Sequence, residues 1–416
     1  MAVELDEGDL DTLSHWLRPW VCARLQHLYL ESFEGQVVSQ LAPDISAYLP
    51  NLRSLTLVLQ DADEAWELPA QLCALSGITE LAISGFRFPW DSAMFSPRLE
   101  RLRVHMRGGD YLSMQPTYAQ YRDMCAMMHR LRELDFLDVV PINPTEDLIH
   151  MPRTLRNFNF TSYSAISAVA ALTLLSHSLL PDACTRKASV FHDSTIDNNA
   201  SAAAVGTCLN ICTFMEEEDI GPAELLCSST QLLTFKNEVP RRSIHSVRRK
   251  SDYLSPERMY PHEWSSFGPF AYLRITGVNL EDHISSLRQG RLRAITIFHD
   301  RNMNLQSLME QLTVSAPCIY RARVWISGGL PILHAISCNV DGNFPLFPNL
   351  RVLVLHGTTA SSDCESDLFA ELSALTACIA CRKNEGSPLQ EVVVSKDSAS
   401  WGIWDALKGD VQITFL

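Results

Sequence analysis

The residues best suited to chemistry are scattered. Cys378-x-x-Cys381, in "CIAC", pairs two thiols at a spacing that metals and redox sites use. A zinc site needs further ligands at compatible spacing, and none sits nearby. A thioredoxin-type dithiol opens its helix after a strand, whereas this pair falls near a helix end. Both read as packing thiols, as do Cys208 and Cys212 in a strand-like run. "HDR" (299–301) and "EDH" (281–283) set His beside Asp, and each reads as a turn after a strand. "RRKS" (248–251) fits a basophilic phosphorylation site, part of a nuclear import signal, or a plain solvated loop. There is no Gly-x-Ser-x-Gly, no Gly-rich phosphate loop ending in Gly-Lys-Ser/Thr and no His-Glu-x-x-His. No catalytic residue, cofactor or metal is therefore expected, and the chain reads as a non-enzyme.

Binding chemistry is better represented. Arg101, Arg103 and His105 alternate along one short run, Tyr272 and Arg274 along another, Arg323 and Trp325 along a third. Arg, Tyr and Trp held on a rigid surface are the residues that make binding hot spots.

A repeat positions them. "FPNLRVLVLHG" (347–357) spaces its leucines as Leu-x-x-Leu-x-Leu. Similar runs begin at Leu25, Leu52, Ile78, Leu99, Leu131 and Leu155, at intervals of 27, 26, 21, 32 and 24 residues. Weaker copies occupy 267–277, 289–299, 319–328 and 387–396, and the least regular fall at 183–193, 206–216, 230–238 and 410–416. A quasi-period in the twenties marks leucine-rich repeats. Each run predicts a short strand with one buried face. Helical patterns lie between them, over 113–130 with Thr117 as cap, 304–318, and 364–386 with Gly386 as stop.

The predicted fold class is therefore α/β: a leucine-rich-repeat solenoid, a horseshoe with a parallel concave sheet and convex helices, in irregular repeats. Residues 1–24 form an N-terminal cap helix, and 25–416 the solenoid. The arginine-rich stretch 238–264 reads as an exposed insertion loop. In this frame the third, fifth and seventh positions face solvent on the concave side. That places the seven residues above on the open face. Adjacent strands stand about 4.8 Å apart, so Arg101 should lie beside Glu133 and Arg103 beside Asp135. Mutual neutralisation is then the competing account of those four residues.

The chain of 416 residues has a formal charge of -14, which argues against general phosphate-backbone binding. No apolar run is long enough to span a membrane, and "AISAVAALTLLSHSLLP" (165–181) reads as a buried helix. The N-terminus has no signal-peptide pattern. Twelve unevenly spaced cysteines fit a reducing cytoplasmic or nuclear compartment.

"FRFPWDSAMFSPRLERLRV" (86–104), "MHRLRELDFLDVVP" (128–141), the segment 151–190 and the tail 387–416 resemble the leucine-rich region of fungal F-box-like proteins. The resemblance implies a substrate-recognition arc that holds a protein on its concave face. It also implies coupling, through an F-box, to a Skp-type adaptor and a cullin ubiquitin ligase. No F-box is recognisable before Leu25, so that half is expected to be missing or to lie outside this chain. The alternative expectation is a stand-alone leucine-rich scaffold or adaptor with no ubiquitin link.

Overall fold

The structure is a computed structural model that describes residues 2–5, 23–32, 35–59, 66–106, 114–143, 145, 147–163, 168–191, 204–214, 221–239, 268–276, 278–287, 289–297, 303–315, 317–325, 329–356 and 365–416. It is a mixed α/β protein of two compact units, Met1–Asp193 and Ser194–Leu416. The division falls within a polar, small-residue stretch, 192–206.

In the first unit the strands of the main sheet, among the described residues, are β1 (Ala2–Leu5), β2 (His27–Ser32), β3 (Ser54–Leu59), β4 (Glu80–Ser84), β5 (Arg101–His105), β6 (Glu133–Leu137), β7 (Asn157–Ser162) and β8 (Thr185–Phe191). Each pairs in parallel with the next. β1 is a correction to the expected cap helix. Its Val-x-Leu alternation suits an edge strand, and Val3 stands in register with Leu30. Residues 6–22 of that expectation lie outside the described residues.

Alternation gives the sheet two faces. Leu55, Leu81, Leu102, Leu134 and Phe158 form one buried row, and Leu57, Ile83, Val104, Phe136 and Phe160 the next. Among the described residues, four helices fall between the strands: α1 (Gly35–Tyr48), α2 (Ala70–Cys73), α3 (Tyr118–Met127) and α4 (Ala168–His177). α3 packs behind the sheet, with the Tyr121 ring edge-on to Phe136 at 5.7 Å. Its start is fixed by a capping box in which the Thr117 side chain accepts from the Gln120 N–H and Gln120 returns the contact. α4 buries Ala168, Ala171, Leu172, Leu174 and Leu175, a core helix within the stretch 165–181.

In the second unit the strands are β9 (Glu224–Cys227), β10 (Gln231–Phe235), β11 (Phe270–Thr276), β12 (Ala294–Ile297), β13 (Arg321–Trp325), β14 (Val352–His356), β15 (Glu391–Val394) and β16 (Gln412–Phe415). β9 pairs with β12, and β12 to β16 follow one another, all in parallel. β9/β10 and β10/β11 are antiparallel, a departure from the all-parallel expectation. The cause is local. "ELLCSSTQLLTF" holds two apolar runs joined by Ser228-Ser229-Thr230, a hairpin connection too short for a parallel crossover. Run 206–216, expected as a strand, instead forms a short helical turn over Leu209–Cys212. Cys208, Ile211 and Cys212 lie at helical spacing and are all buried.

The helices between and after the parallel strands include α5 (Leu305–Ser315), α6 (Leu330–Ser337), α7 (Glu365–Asn384) and α8 (Ile403–Leu407). α7 buries Leu375, Cys378, Ile379 and Arg382, and Gly386 follows it with φ +78°. Among the described residues no helix is long and apolar enough to cross a membrane.

Candidate functional site

The outer face of the first unit's sheet carries polar rows across the strands. One runs Ser54, Glu80, Arg101, Glu133, Asn157, Thr185. The next runs Tyr29, Thr56, Ala82, Arg103, Asp135, Asn159, Lys187. A third includes His105, Leu137 and Thr161. Arg101, Arg103 and His105 thus stand together on one strand.

Their partners are the expected ones. Arg101 lies 3.4 Å from Glu133 and 3.5 Å from Glu80. Arg103 donates from Nε to Asp135 Oδ2 at 2.9 Å. The same oxygen is 3.7 Å from His105 Nε2, and Asn159 Nδ2 donates to the other carboxylate oxygen at 2.7 Å. Burial raises the Asp135 pKa, but the His105 hydrogen bond and charge and the Arg103 guanidinium outweigh it and hold the carboxyl below its ordinary value. Lys187 is pulled down by burial, with the Asp135 charge opposing. The Arg101 and Arg103 side chains remain 57% and 60% exposed, so this face is charged and open to solvent.

At the end of the rows stands an aromatic pair. The rings of Tyr163 and Phe191 lie 4.6 Å apart at 30°, and Tyr163 is 56% exposed. Asp138, at φ 55°, accepts from the Tyr163 N–H at 2.7 Å. Its own N–H donates to Thr161 O at 2.7 Å. Buried Gln115 donates to Asp138 O at 2.6 Å and accepts from the Val140 N–H at 2.7 Å. Asp tolerates this left-handed conformation because its short side chain can bond locally. The turn thereby fixes where Tyr163 stands.

The second unit overturns the other expected open positions. Tyr272, Arg323 and Trp325 are buried, and Arg274 is half-buried. They do occupy the predicted face, but its neighbours are apolar: Leu226, Leu233, Phe235 and Phe270 cluster with Tyr272, Trp325 and Val239. A face this apolar is driven out of water. Glu238 and Val239, expected in an exposed loop, join it. The Val239 N–H donates to Glu224 Oε2 at 2.7 Å, and Tyr320 Oη donates to Glu238 Oε2 at 2.5 Å. Glu224 also accepts from Arg321 Nη2 at 2.8 Å and lies 3.6 Å from Arg323 Nη1. Trp325 stacks on His356 at 4.7 Å.

Cys208 and Cys378 lie in the packed interior. Burial pushes the Cys378 thiol up to about 11, against the nearby Arg382 charge. Cys381 Sγ donates to Ser337 O at 3.4 Å. Cys208 is raised by burial and by its neighbour Cys212. Among the described residues no group of three or more His, Cys, Asp or Glu is placed to hold a metal. "HDR" (299–301), "RRKS" (248–251) and residues 240–264 lie outside the described residues.

Several residues escaped sequence reasoning. Lys187 lies in an irregular repeat copy, although Thr185, Lys187 and Ser189 do alternate in "TRKASVF". Glu224 sits in a hairpin without the leucine spacing. Tyr163 follows a strand rather than lying in one. A scan of the chain against protein-family models finds no match, and a search of curated proteins finds none either.

Proposed function

We propose that this chain is a protein-recognition module of leucine-rich-repeat type, resembling the substrate-recognition arc of an F-box-like ubiquitin-ligase receptor. Its working surface is the polar outer face of the first unit. The observation that carries this reading is the set of solvent-exposed charges, Arg101 and Arg103 foremost, on a parallel sheet whose other face is a packed core. Exposed ion pairs of this kind add only about 0.2–1 kcal/mol each to stability. Such a charged array contributes little to the fold and much to partner selection. The strand-by-strand order and the leucine frame support the repeat assignment.

The test is affinity purification of the full chain followed by mass spectrometry, wild type against Asn157→Trp. Asn157 is an exposed residue of the first polar row, so the indole blocks the face without entering the core. Specific partners should disappear from the variant while its melting temperature holds. An unchanged partner set removes the face from consideration. Co-purification of a Skp-type adaptor and a cullin supports the ligase role. Reproducible partners without them leave a scaffold.

A further inference from the structure

We propose that Cys338 and Cys381 form an oxidisable thiol pair, a modification site at which a hydroperoxide creates a disulfide between the end of α6 and α7. The site lies in the second unit and does not depend on the recognition role assigned to the first.

The Cys378-x-x-Cys381 spacing draws attention to a different couple. Cys378 is buried, and burial pushes its thiol up to about 11, which makes it a poor nucleophile. Cys381 is half-buried and Cys338 is exposed, and all three are free thiols. Cys381 Sγ donates to Ser337 O at 3.4 Å, and Arg382 Nε donates to Ile336 O at 3.1 Å. Two consecutive residues of α7 thus hold two consecutive carbonyls at the end of α6. Arg382 also donates to Leu346 O and Phe347 O at 3.3 and 2.9 Å, which fixes where this turn of α7 stands. Cys338 is the next residue after Ser337. Only the Ser337 carbonyl and one peptide bond separate its Cα from the Cys381 sulfur, a distance of at most about 6 Å. Disulfides join Cα atoms about 4.4–6.8 Å apart. Cys338 has left the helix, with φ −63° and ψ 119°, so it can turn toward α7 without breaking a helical turn. Arg382 sets a permanent cation within electrostatic reach of the Cys378 and Cys381 thiols, surroundings typical of oxidisable cysteines.

The chemistry balances with the peroxide as oxidant. The exposed Cys338 thiolate attacks one peroxide oxygen. An S–O bond forms, the O–O bond breaks, and the departing oxygen takes up the proton that the thiol released. Cys381 then attacks the sulfenic sulfur. The S–S bond forms, the S–O bond breaks, and the hydroxyl leaves as water with the Cys381 proton. Two thiols lose two electrons, and hydrogen peroxide becomes two waters. Exchange with a thiol reverses the bridge. The bridge closes a long loop that contains β14, so it should act as a latch on that part of the sheet.

The experiment treats the folded full chain with one equivalent of hydrogen peroxide. Remaining thiols are then alkylated in denaturant, and the unreduced digest is mapped by mass spectrometry. A peptide linking Cys338 to Cys381 should appear, with Cys378 and Cys318 recovered alkylated. Cys338→Ser and Cys381→Ser should each abolish it, and Cys378→Ala should leave it. The oxidised wild type should melt several degrees above the reduced chain and return on reduction. Cys381→Ser keeps a hydroxyl that can donate to Ser337 O, so it should melt with the reduced wild type whether or not peroxide is added. A link between Cys378 and Cys381, a link from Cys338 to any other cysteine, or sulfinic acid at Cys338 with no link overturns the pair. A Cys338–Cys381 link that leaves the melting temperature unchanged overturns the latch.

Discussion

Replacing Glu224 by glutamine should unfold the second unit at a markedly lower temperature. Glu224 is 2% exposed and faces two guanidinium groups, Arg321 at 3% and Arg323 at 2%. Its carboxylate accepts from Arg321 at 2.8 Å and from the Val239 N–H at 2.7 Å. Glu238, the next nearest acid to Arg321, is 3.8 Å away and a third exposed. Removing one charge from a buried pair costs about 3–5 kcal/mol, because the other charge stays buried. The glutamine amide oxygen can still accept from Arg321, so Glu224→Gln belongs near 3 and Glu224→Leu near 5. In a unit of this size each kcal/mol moves the melting temperature by roughly 2–4 °C. The expected drop is therefore about 6–12 °C for glutamine and up to about 20 °C for leucine. Calorimetry of the full chain measures it, and amide exchange in Glu224–Cys227 and Arg321–Trp325 locates it. Pairing Glu224→Leu with Arg321→Met should recover part of the loss, since an apolar pair avoids the desolvation cost. A glutamine variant that melts within about 2 °C of wild type, on the same scale, would refute charge compensation as what holds this face closed.

Other outcomes follow from single contacts. Arg382 is fully buried, donates to the carbonyls of Ile336, Leu346 and Phe347 at 2.9–3.3 Å, and lies 4.3 Å from the Phe344 ring centre. Arg382→Lys should cost several kcal/mol in thermal unfolding despite keeping the charge, because an ammonium cannot span three carbonyls (~1.5–3 kcal/mol per charged hydrogen bond). Thr117→Ala removes the capping box of α3 and should cost about 1 kcal/mol. Asp135 has a depressed pKa in the folded state, so its contribution to stability is present above its unfolded value of about 3.9 and lost as pH falls through the folded value. Wild type should therefore exceed Asp135→Asn in stability at neutral pH, and the gap should close on acidification. A Cβ on Gly329 would meet Trp325 O at 2.3 Å, so Gly329→Ala should displace the start of α6 and lower the melting temperature, where a glycine in open space such as Gly409 should accept alanine.

The leucine frame made the buried face legible. A period-two pattern needs only one neighbour on each side to fix which residues go inward, and Leu102, Leu134 and Phe158 go inward as their spacing requires. It also fixed the register well enough to set Arg101 beside Glu133 and Arg103 beside Asp135. It could not decide whether the opposite face is open, because that depends on residues far away in sequence. Trp325 and Tyr272 are brought together by strands that a long connection separates, and Val239 completes their cluster from a third segment. Glu224 was hidden for a related reason. Its strand is half of a hairpin, and a hairpin obeys turn chemistry rather than the repeat.

Arg103 and Arg323 make the contrast testable in one experiment. They hold equivalent positions on β5 and β13, each on the face opposite the leucines, and each stands near a carboxylate. Arg103 is 60% exposed on its side chain, so water solvates what Asp135 does not, and its ion pair is worth about 0.2–1 kcal/mol. Arg323 is 2% exposed among aromatic and aliphatic neighbours, where the charge on Glu224 is left short of a partner once the guanidinium is removed. Arg103→Gln should therefore melt within about 2–4 °C of wild type, and Arg323→Gln several times further below it. Partner recovery should move the opposite way, falling for Arg103→Gln at temperatures where the protein is fully folded and holding for Arg323→Gln under the same conditions. Loss of partners from both variants in proportion to their melting temperatures would mean that stability, and not the exposed face of the first unit, governs recognition.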